Sequence, residues 1–208
     1  MRIGVMCSGN GTNFENIVNN CPEHEVVMMI YNKKDCGAMH RAQRLGISHC
    51  RLKSKQVDDI ITLFKVYRVD LIVLAGWMRV LPKKFIKAFP NQIINIHPSL
   101  LPKYKGLHAI EQAFSSTDKY TGCTVHYVNE ELDGGEILDQ TQVMICPEDT
   151  LDTLTYRIQQ AEHRLLPLVI KQLLRKKPNQ TRNLSSIDAS QSLELAFLIA
   201  EELQTFEK

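Results

Sequence analysis

The amino-acid sequence predicts an α/β fold with a doubly wound, mostly parallel, Rossmann-like sheet. Short apolar runs alternate with stretches whose apolar residues recur at helical spacing, and this alternation repeats through four rounds before residue 76. Such a pattern is typical of parallel strands whose connecting helices cover both faces of a sheet. The run at 70–75 (Asp-Leu-Ile-Val-Leu-Ala) is the most strand-like segment of the chain.

Each element follows from its own pattern. The strands are predicted at 2–7, 25–31, 47–52, 70–75, 93–97, 121–128 and 137–145, and the helices at 14–18, 38–45, 58–69, 85–89, 108–115 and from 151 onward. The last two strands are separated by Asp133-Gly134-Gly135, so we expect antiparallel additions at the sheet edge. Asp149-Thr150 is predicted to cap the last helix, and Pro167 to kink or restart it.

Length and composition place the chain among ordinary globular proteins. It has 208 residues, of which 44% are hydrophobic and 23% charged, and its formal net charge is +2. That charge creates no field that would demand nucleic acid or an anionic membrane, and no apolar run approaches the roughly 20 residues of a membrane span. We predict one domain over 1–178. Residues 179–208 are predicted to be a linker and an amphipathic helix bearing Leu195, Ile199, Leu203 and Phe206.

The cysteines and histidines do not show metal-site or disulfide spacing. Six cysteines are scattered without a Cys-x-x-Cys pair, which indicates reduced thiols in the cytoplasm, with Cys7 and Cys123 as small core residues. His97, His108 and His126 lack a cysteine or acidic ligand at supporting spacing, so no metal is expected.

Ser8-Gly9-Asn10-Gly11-Thr12-Asn13 connects the first strand to the first helix. Glycines allow backbone N–H groups to approach an anion, and the helix amino end adds partial positive charge. Phe14 stands where a dinucleotide fingerprint has its third glycine, and no Gly-Lys-Ser/Thr follows. A plain tight turn explains this stretch about as well as an anion site.

A second polar segment follows the strand at 93–97. Alternation places Asn95 and His97 on one face at the carboxyl end of this strand, where open α/β sheets form ligand crevices. Pro98 favours extended geometry at His97. From spacing alone, a core-edge asparagine and a hydrogen-bonded histidine at a strand end are favoured over a ligand site.

The string from Asn95 to Gly106, Asn-Ile-His-Pro-Ser-Leu-Leu-Pro-Lys-Tyr-Lys-Gly, resembles the signature of the folate-dependent formyltransferases. The resemblance extends over about residues 1–167 and is strongest to members that act on glycinamide ribonucleotide. It implies formyl transfer from N10-formyltetrahydrofolate to the primary amine of that ribonucleotide in purine biosynthesis. It further implies small-molecule substrates, no nucleic-acid or membrane partner, no metal, a cytoplasmic location, and a monomer or homodimer.

The resemblance also implies site residues. Asn95, His97 and Asp133 would be catalytic, with Thr124 and His126 supporting them and Leu101-Pro102 as a candidate cis bond. The remaining contacts would be Gly11, Thr12 and Asn13 with phosphate, Gln159 and Glu162 with the ribose and amine end, and Met78, Arg79, Val80, Leu81 and Asn95 with the folate.

Structural alternatives exist for three of these groups. The 76–82 stretch (Gly-Trp-Met-Arg-Val-Leu-Pro) can be a hydrophobic lid over the core, because methionine and tryptophan fill gaps. Asp133 can be a turn residue that bonds its own backbone. Gln159 and Glu162, three residues apart, can be an ordinary exposed pair on a helix.

The chemistry implied is attack of an amine on a formyl group through a tetrahedral oxyanion. Such a step needs hydrogen-bond donors at the oxygen and a route for the amine proton. Asn95 and His97 can donate, and Asp133 can hold His97 charged or oriented. No protein nucleophile is required, and Ser99 lacks the Gly-x-Ser-x-Gly elbow.

Four other functions are less consistent with the sequence. Methionyl-tRNA formyltransferases carry an RNA-binding domain, which the last thirty residues are too few to form. Formyltetrahydrofolate deformylases usually have a regulatory domain in front and use water as acceptor. A non-catalytic binding protein would be expected to have lost Asn95, His97 or Asp133, and a dinucleotide-dependent reductase conflicts with Phe14.

Overall fold

The computed structural model describes residues 1–52 and 57–175. Two compact units are distinguished: residues 1–77 with the described residues from 172 on, and residues 78–171. In the first unit the strand order is β3 (His49–Arg51), β2 (Glu25–Tyr31), β1 (Arg2–Cys7), β4 (Leu71–Leu74), and in the second it is β5 (Ile93–His97), β6 (Tyr120–Tyr127), β7 (Ile137–Met144). The predicted linker and terminal helix at 179–208 lie outside the described residues.

The first unit consists of parallel strands alternating with helices. Its elements are β1 (Arg2–Cys7), α1 (Thr12–Asn20), β2 (Glu25–Tyr31), α2 (Gly37–Arg44), β3 (His49–Arg51), α3 (Val57–Val66) and β4 (Leu71–Leu74). β1 pairs in parallel with both β2 and β4, and β2 pairs in parallel with β3. Ile3, Val5 and Ile72 are fully buried. Because parallel strands are covered on both faces, they form near-continuous apolar runs, and this unit confirms the predicted class.

The second unit carries the antiparallel strands. Its elements are α4 (Lys83–Ala88), β5 (Ile93–His97), α5 (Ala109–Phe114), β6 (Tyr120–Tyr127), β7 (Ile137–Met144) and the body of α6 (Leu151–Arg175). β6 pairs antiparallel with both β5 and β7. The expectation of antiparallel strands at the sheet edge is therefore confirmed.

α6 begins at the predicted cap and continues through its proline. The Thr150 hydroxyl accepts a hydrogen bond from the Thr153 N–H at 3.2 Å, and the Thr153 hydroxyl accepts one from the Thr150 N–H at 3.0 Å. This reciprocal pair satisfies two amides that the first turn leaves without helical partners. Pro167 lies inside a single 25-residue helix, so the helix does not restart there, and the kink stays a prediction. Its burial beside Leu165 and Leu166 offsets the lost backbone hydrogen bond.

Within the described part of the chain, no helix is both long enough and apolar enough to cross a bilayer. All six cysteines are free, and Cys7 and Cys123 are fully buried, as expected for core residues.

Candidate active site

The register of β5 and β6 brings four polar side chains onto one face of the second unit. Asn95 lies directly opposite His126, and His97 lies directly opposite Thr124. Directly opposite residues of an antiparallel pair project to the same side. The alternation in the sequence placed Asn95 with His97 and Thr124 with His126. The strand pairing unites the two sets.

Asp133 enters this group from the turn between β6 and β7. Its Oδ2 accepts a hydrogen bond from the Gly106 N–H at 2.8 Å and lies 3.4 Å from His97 Nδ1. Its Oδ1 lies 3.6 Å from His126 Nε2. The residue adopts φ +47°, a left-handed conformation that aspartate tolerates better than most residues. The turn thus directs the carboxylate at two imidazoles and at a backbone amide of another segment.

The surroundings of Asp133 favour its ionised form. The side chains of Asp133, His97 and His126 are all nearly fully buried. Burial raises the pKa of the Asp133 carboxyl, but the hydrogen bonds from His126 and Gly106 and the charges of both histidines together lower the pKa by more than burial raises it. The net pKa lies below the usual value for aspartate. The cluster therefore holds a carboxylate anion between two imidazoles.

Backbone carbonyls determine which nitrogen of His97 carries hydrogen. His97 Nε2 lies 2.8 Å from the Tyr104 carbonyl oxygen, which can only accept. Nε2 therefore donates, and Nδ1 is the nitrogen that faces Asp133 and can take or release a proton. We assign this tautomer from the bonding partners.

His126 is held in the same way from its other side. Its Nδ1 donates to the Tyr127 carbonyl at 2.8 Å, and its Nε2 lies 3.2 Å from Asn95 Nδ2. When the ring is neutral, Nε2 accepts from the Asn95 amide. When it is protonated, Nε2 donates to Asp133 instead. His126 thus links the amide to the carboxylate.

A hydrogen-bonded support lies beside this cluster, and it includes Gln140, which the sequence did not identify. The Thr124 hydroxyl donates to the Ser99 carbonyl at 2.7 Å and accepts from the Leu101 N–H at 3.1 Å. Gln140 Nε2 donates to the Thr124 hydroxyl at 2.8 Å and to the Leu101 carbonyl at 3.0 Å. The Leu101-Pro102 bond is cis, as the resemblance implies. Gln140 lies directly opposite Thr124. Its role could therefore have been predicted from the register of β6 against β7.

Neither Cys123 nor Ser99 shows the features of an activated nucleophile. Burial, and secondarily the charge of Glu162, raise the pKa of Cys123 to about 12, so its reactive thiolate is scarce at neutral pH. The Ser99 hydroxyl donates to the Lys103 carbonyl at 2.6 Å. Within residues 1–52 and 57–175, no group of three or more His, Cys, Asp or Glu side chains is arranged to hold a metal ion.

The two polar residues of α6 differ in exposure. Glu162 is 8% exposed, and its charge acts on Cys123 of β6. Gln159 is exposed. The reading of these residues as an ordinary exposed pair therefore fits Gln159 but not Glu162.

The segment before α4 is open to solvent over most of its length. Met78 is 58% and Val80 76% exposed, and Arg79 is exposed as well. Leu81 alone of these four is buried. A lid that fills the core would bury its apolar side chains, so the lid reading applies to Leu81 and not to the other three. Adjacent exposed apolar side chains are typical of binding surfaces.

The glycine-rich turn belongs to the first unit. Gly11 is the N-cap of α1, has φ +74°, and provides no side-chain cap. A Cβ at Gly11 would lie 2.7 Å from both Cα and Cβ of Ala38. The Ala38 N–H donates to the Gly9 carbonyl, and Arg41 Nε donates to the Asn10 carbonyl. The turn is thus held against α2, with Thr12 half-buried at the start of α1.

The second unit therefore brings together a group of predicted side chains: Asn95, His97, Thr124, His126 and Asp133. Gly11, Thr12 and Asn13 lie in the first unit, at the amino end of a nine-residue helix. Backbone N–H groups and the helix dipole make that helix end suited to an anion.

Comparison with known proteins identifies the family of this chain. The protein-family description "Formyl transferase" matches residues 1–170. A phosphoribosylglycinamide formyltransferase of Haemophilus influenzae is 38% identical over 90% of this chain and 93% of its own length. A trifunctional purine biosynthetic protein of Drosophila melanogaster is 40% identical over 83% of this chain, which spans 14% of that protein.

Solved structures give the same result for the fold. The crystal structure of phosphoribosylglycinamide formyltransferase from Bacillus halodurans is 40% identical, with a TM-score of 0.82 over 86% of this chain and 98% of that one. The resemblance seen in the sequence is confirmed over most of its length. The chain belongs to the formyl transferase family and is a formyltransferase.

Proposed function

We propose that this protein transfers the formyl group of N10-formyltetrahydrofolate to the primary amine of glycinamide ribonucleotide, a step of purine biosynthesis, in the cytoplasm. The observation that carries the proposal is the placement of Asp133 between His97 and His126, with Asn95 on the same strand face. The relatives named for this reaction, which cover most of this chain, support the choice of acceptor.

Asn95 supplies a donor at the reacting carbonyl. Its amide nitrogen carries two hydrogens, and one is directed at His126. The second can bind the oxygen that gains negative charge when the amine attacks. A fixed donor at that position lowers the barrier because it needs no reorganisation as the charge develops.

His97 and Asp133 provide the route for the proton. The attacking amine must lose a proton, and the departing folate nitrogen must gain one. His97 Nδ1 can carry it, since Nε2 is engaged with the Tyr104 carbonyl. The Asp133 carboxylate at 3.4 Å stabilises the imidazolium that forms.

Substrate contacts are proposed from the remaining groups, each within its own unit. The amino end of α1, with Gly11, Thr12 and Asn13, would bind the ribonucleotide phosphate. Glu162 and Gln159 would contact the ribose and amine end. The exposed segment of Met78, Arg79 and Val80, with Leu81 beneath it, would contact the folate. The molecule would act as a monomer or homodimer.

The test is formyl transfer by the purified full chain from N10-formyltetrahydrofolate to three acceptors: glycinamide ribonucleotide, the dephosphorylated glycinamide ribonucleoside, and water alone. We expect folate release that requires the ribonucleotide. The ribonucleoside should react with a KM raised at least about tenfold, because it lacks the anion.

Two outcomes would contradict the proposal. Equal folate release without any acceptor would make the protein a deformylase. Equal KM values for ribonucleotide and ribonucleoside would leave the reaction intact but would remove the phosphate role from Gly11, Thr12 and Asn13.

A further inference from the structure

Asp118 is a carboxylate outside the catalytic cluster that secures two neighbouring residues of the loop between β5 and α5. Its Oδ2 accepts hydrogen bonds from Lys103 Nζ at 2.7 Å and from the Tyr104 hydroxyl at 2.7 Å. Its own N–H donates to the Ser116 hydroxyl at 3.1 Å. Asp118 therefore ties the start of β6 to residues 103 and 104.

Tyr104 connects this contact to the catalytic cluster. Its carbonyl oxygen accepts the hydrogen bond from His97 Nε2. Its backbone has φ +55°, a left-handed conformation that is unfavourable for a bulky side chain. A conformation of this kind persists only where surrounding contacts enforce it. On the carbonyl side the Ser99 hydroxyl donates to the Lys103 carbonyl at 2.6 Å and more weakly to the Tyr104 carbonyl at 3.4 Å. On the ring side the contact is Asp118.

We propose that Asp118 is a positioning residue for His97. By holding the Tyr104 ring and the Lys103 ammonium, it keeps the Tyr104 carbonyl where it accepts from His97 Nε2. That carbonyl selects the tautomer in which Nδ1 faces Asp133. The kinetic consequence rests on the proposed function, whereas the effect on the His97 tautomer does not.

The state of Asp118 suits this role. Hydrogen bonds from Lys103 and then Tyr104 outweigh a small opposing effect of desolvation and lower the pKa of the carboxyl. The group is therefore ionised at neutral pH. An anion accepts both hydrogen bonds more strongly than a neutral side chain would.

The test compares Asp118→Ala with Glu111→Ala in the full chain. Glu111 is a matched control, because it is also an acidic residue between β5 and β6. Its partner is the exposed His108, at 3.2 Å. The direct measurement is the ¹⁵N NMR signature of the His97 ring. We expect hydrogen on Nε2 in the wild type and in Glu111→Ala, and a mixture of tautomers in Asp118→Ala.

Turnover provides the second measurement. We expect kcat of Asp118→Ala to fall by about tenfold with KM for the ribonucleotide changed by less than about twofold, because orientation of a proton carrier acts on chemistry more than on binding. Glu111→Ala should retain wild-type values. Tyr104→Phe removes only the hydroxyl and should change the tautomer in the same direction. It keeps the test possible if Asp118→Ala does not fold.

The inference is overturned if folded Asp118→Ala or Tyr104→Phe retains the wild-type His97 tautomer. A wild-type protein that shows the expected tautomer but no transfer to the ribonucleotide would instead refute the proposed function and leave the positioning role standing.

Discussion

The glycine-rich turn of the first unit and the histidine–aspartate cluster of the second are built in opposite ways. In the turn, the groups suited to a ligand are backbone amides at the amino end of α1. Gly11 matters there because it has no side chain, and a Cβ at this position would lie too close to Ala38. In the cluster, the working groups are side chains from β5, β6 and the turn after β6. We therefore expect a larger side chain to disrupt the turn. In the cluster, the loss of a charge or of a hydrogen-bonding group should be the damaging change.

The largest effect should come from the cluster. Asp133→Asn keeps the size of the side chain, and asparagine also tolerates φ +47°. It removes the charge that stabilises a proton on His97. We expect kcat to fall by about 10³-fold, a typical loss for a general acid–base group, in a variant that still folds.

His97→Ala should reduce turnover to a similar extent. Asp152→Asn, an exposed aspartate in the first turn of α6, is the control for both variants. Unchanged turnover of either cluster variant at saturating substrate would refute the assigned roles.

The next effect concerns the turn and appears in stability. Gly11→Ala adds a Cβ 2.7 Å from Ala38 at a backbone with φ +74°. Gly46→Ala is the matched control, because its φ is +66° but no atom lies within 4 Å of the added Cβ. We expect the control to lose about 1 kcal/mol in free energy of unfolding, from backbone strain alone.

Gly11→Ala should lose about 2 to 4 kcal/mol, since steric overlap adds to the strain. Urea denaturation of both variants measures the difference. Equal losses would mean that α2 moves away easily and that the turn is not sensitive to added atoms.

The smallest effect is the pH dependence of stability at Asp133. Its pKa is lower in the folded protein than in the unfolded chain. The ionised form therefore stabilises the fold at pH values above the unfolded pKa of about 4, and this stabilisation disappears as pH falls through the folded pKa.

Asp133→Asn has no such titration. The stabilisation that the Asp133 carboxylate gives the wild type relative to the variant should shrink as the pH falls below about 4. A difference that grows in acid would show that the opposite shift, from burial, dominates.

The sequence predicted the fold well where apolar runs are continuous. β1 and β2 have the expected bounds, because buried parallel strands are apolar throughout. α3 was expected to reach residue 69 but ends at Val66. Arg68 has φ +50°, and Val69 is buried beyond the helix end. Apolar spacing continued past the helix because Val69 still packs in the core.

The candidate site was predictable as individual residues but not as a hydrogen-bonded arrangement. Asn95 and His97 follow from alternation within one strand. The approach of His97 to Asp133 depends on the register between β5 and β6 and on a left-handed turn, neither of which leaves a local signal. The contact of the Tyr104 carbonyl with His97 was not predictable either, because a backbone carbonyl is present at every residue and gives no signal in the sequence.

The register of β5 against β6 also limits how such a chain can change in length during evolution. One residue inserted between Thr124 and His126 would turn these two side chains to opposite faces, although every ancestral residue would remain in the sequence. A residue inserted in the 115–119 connection leaves the strand pairing intact. Insertions and deletions should therefore be purged from β5 and β6, where they change the register, and from the turn of Asp133, where they displace the carboxylate.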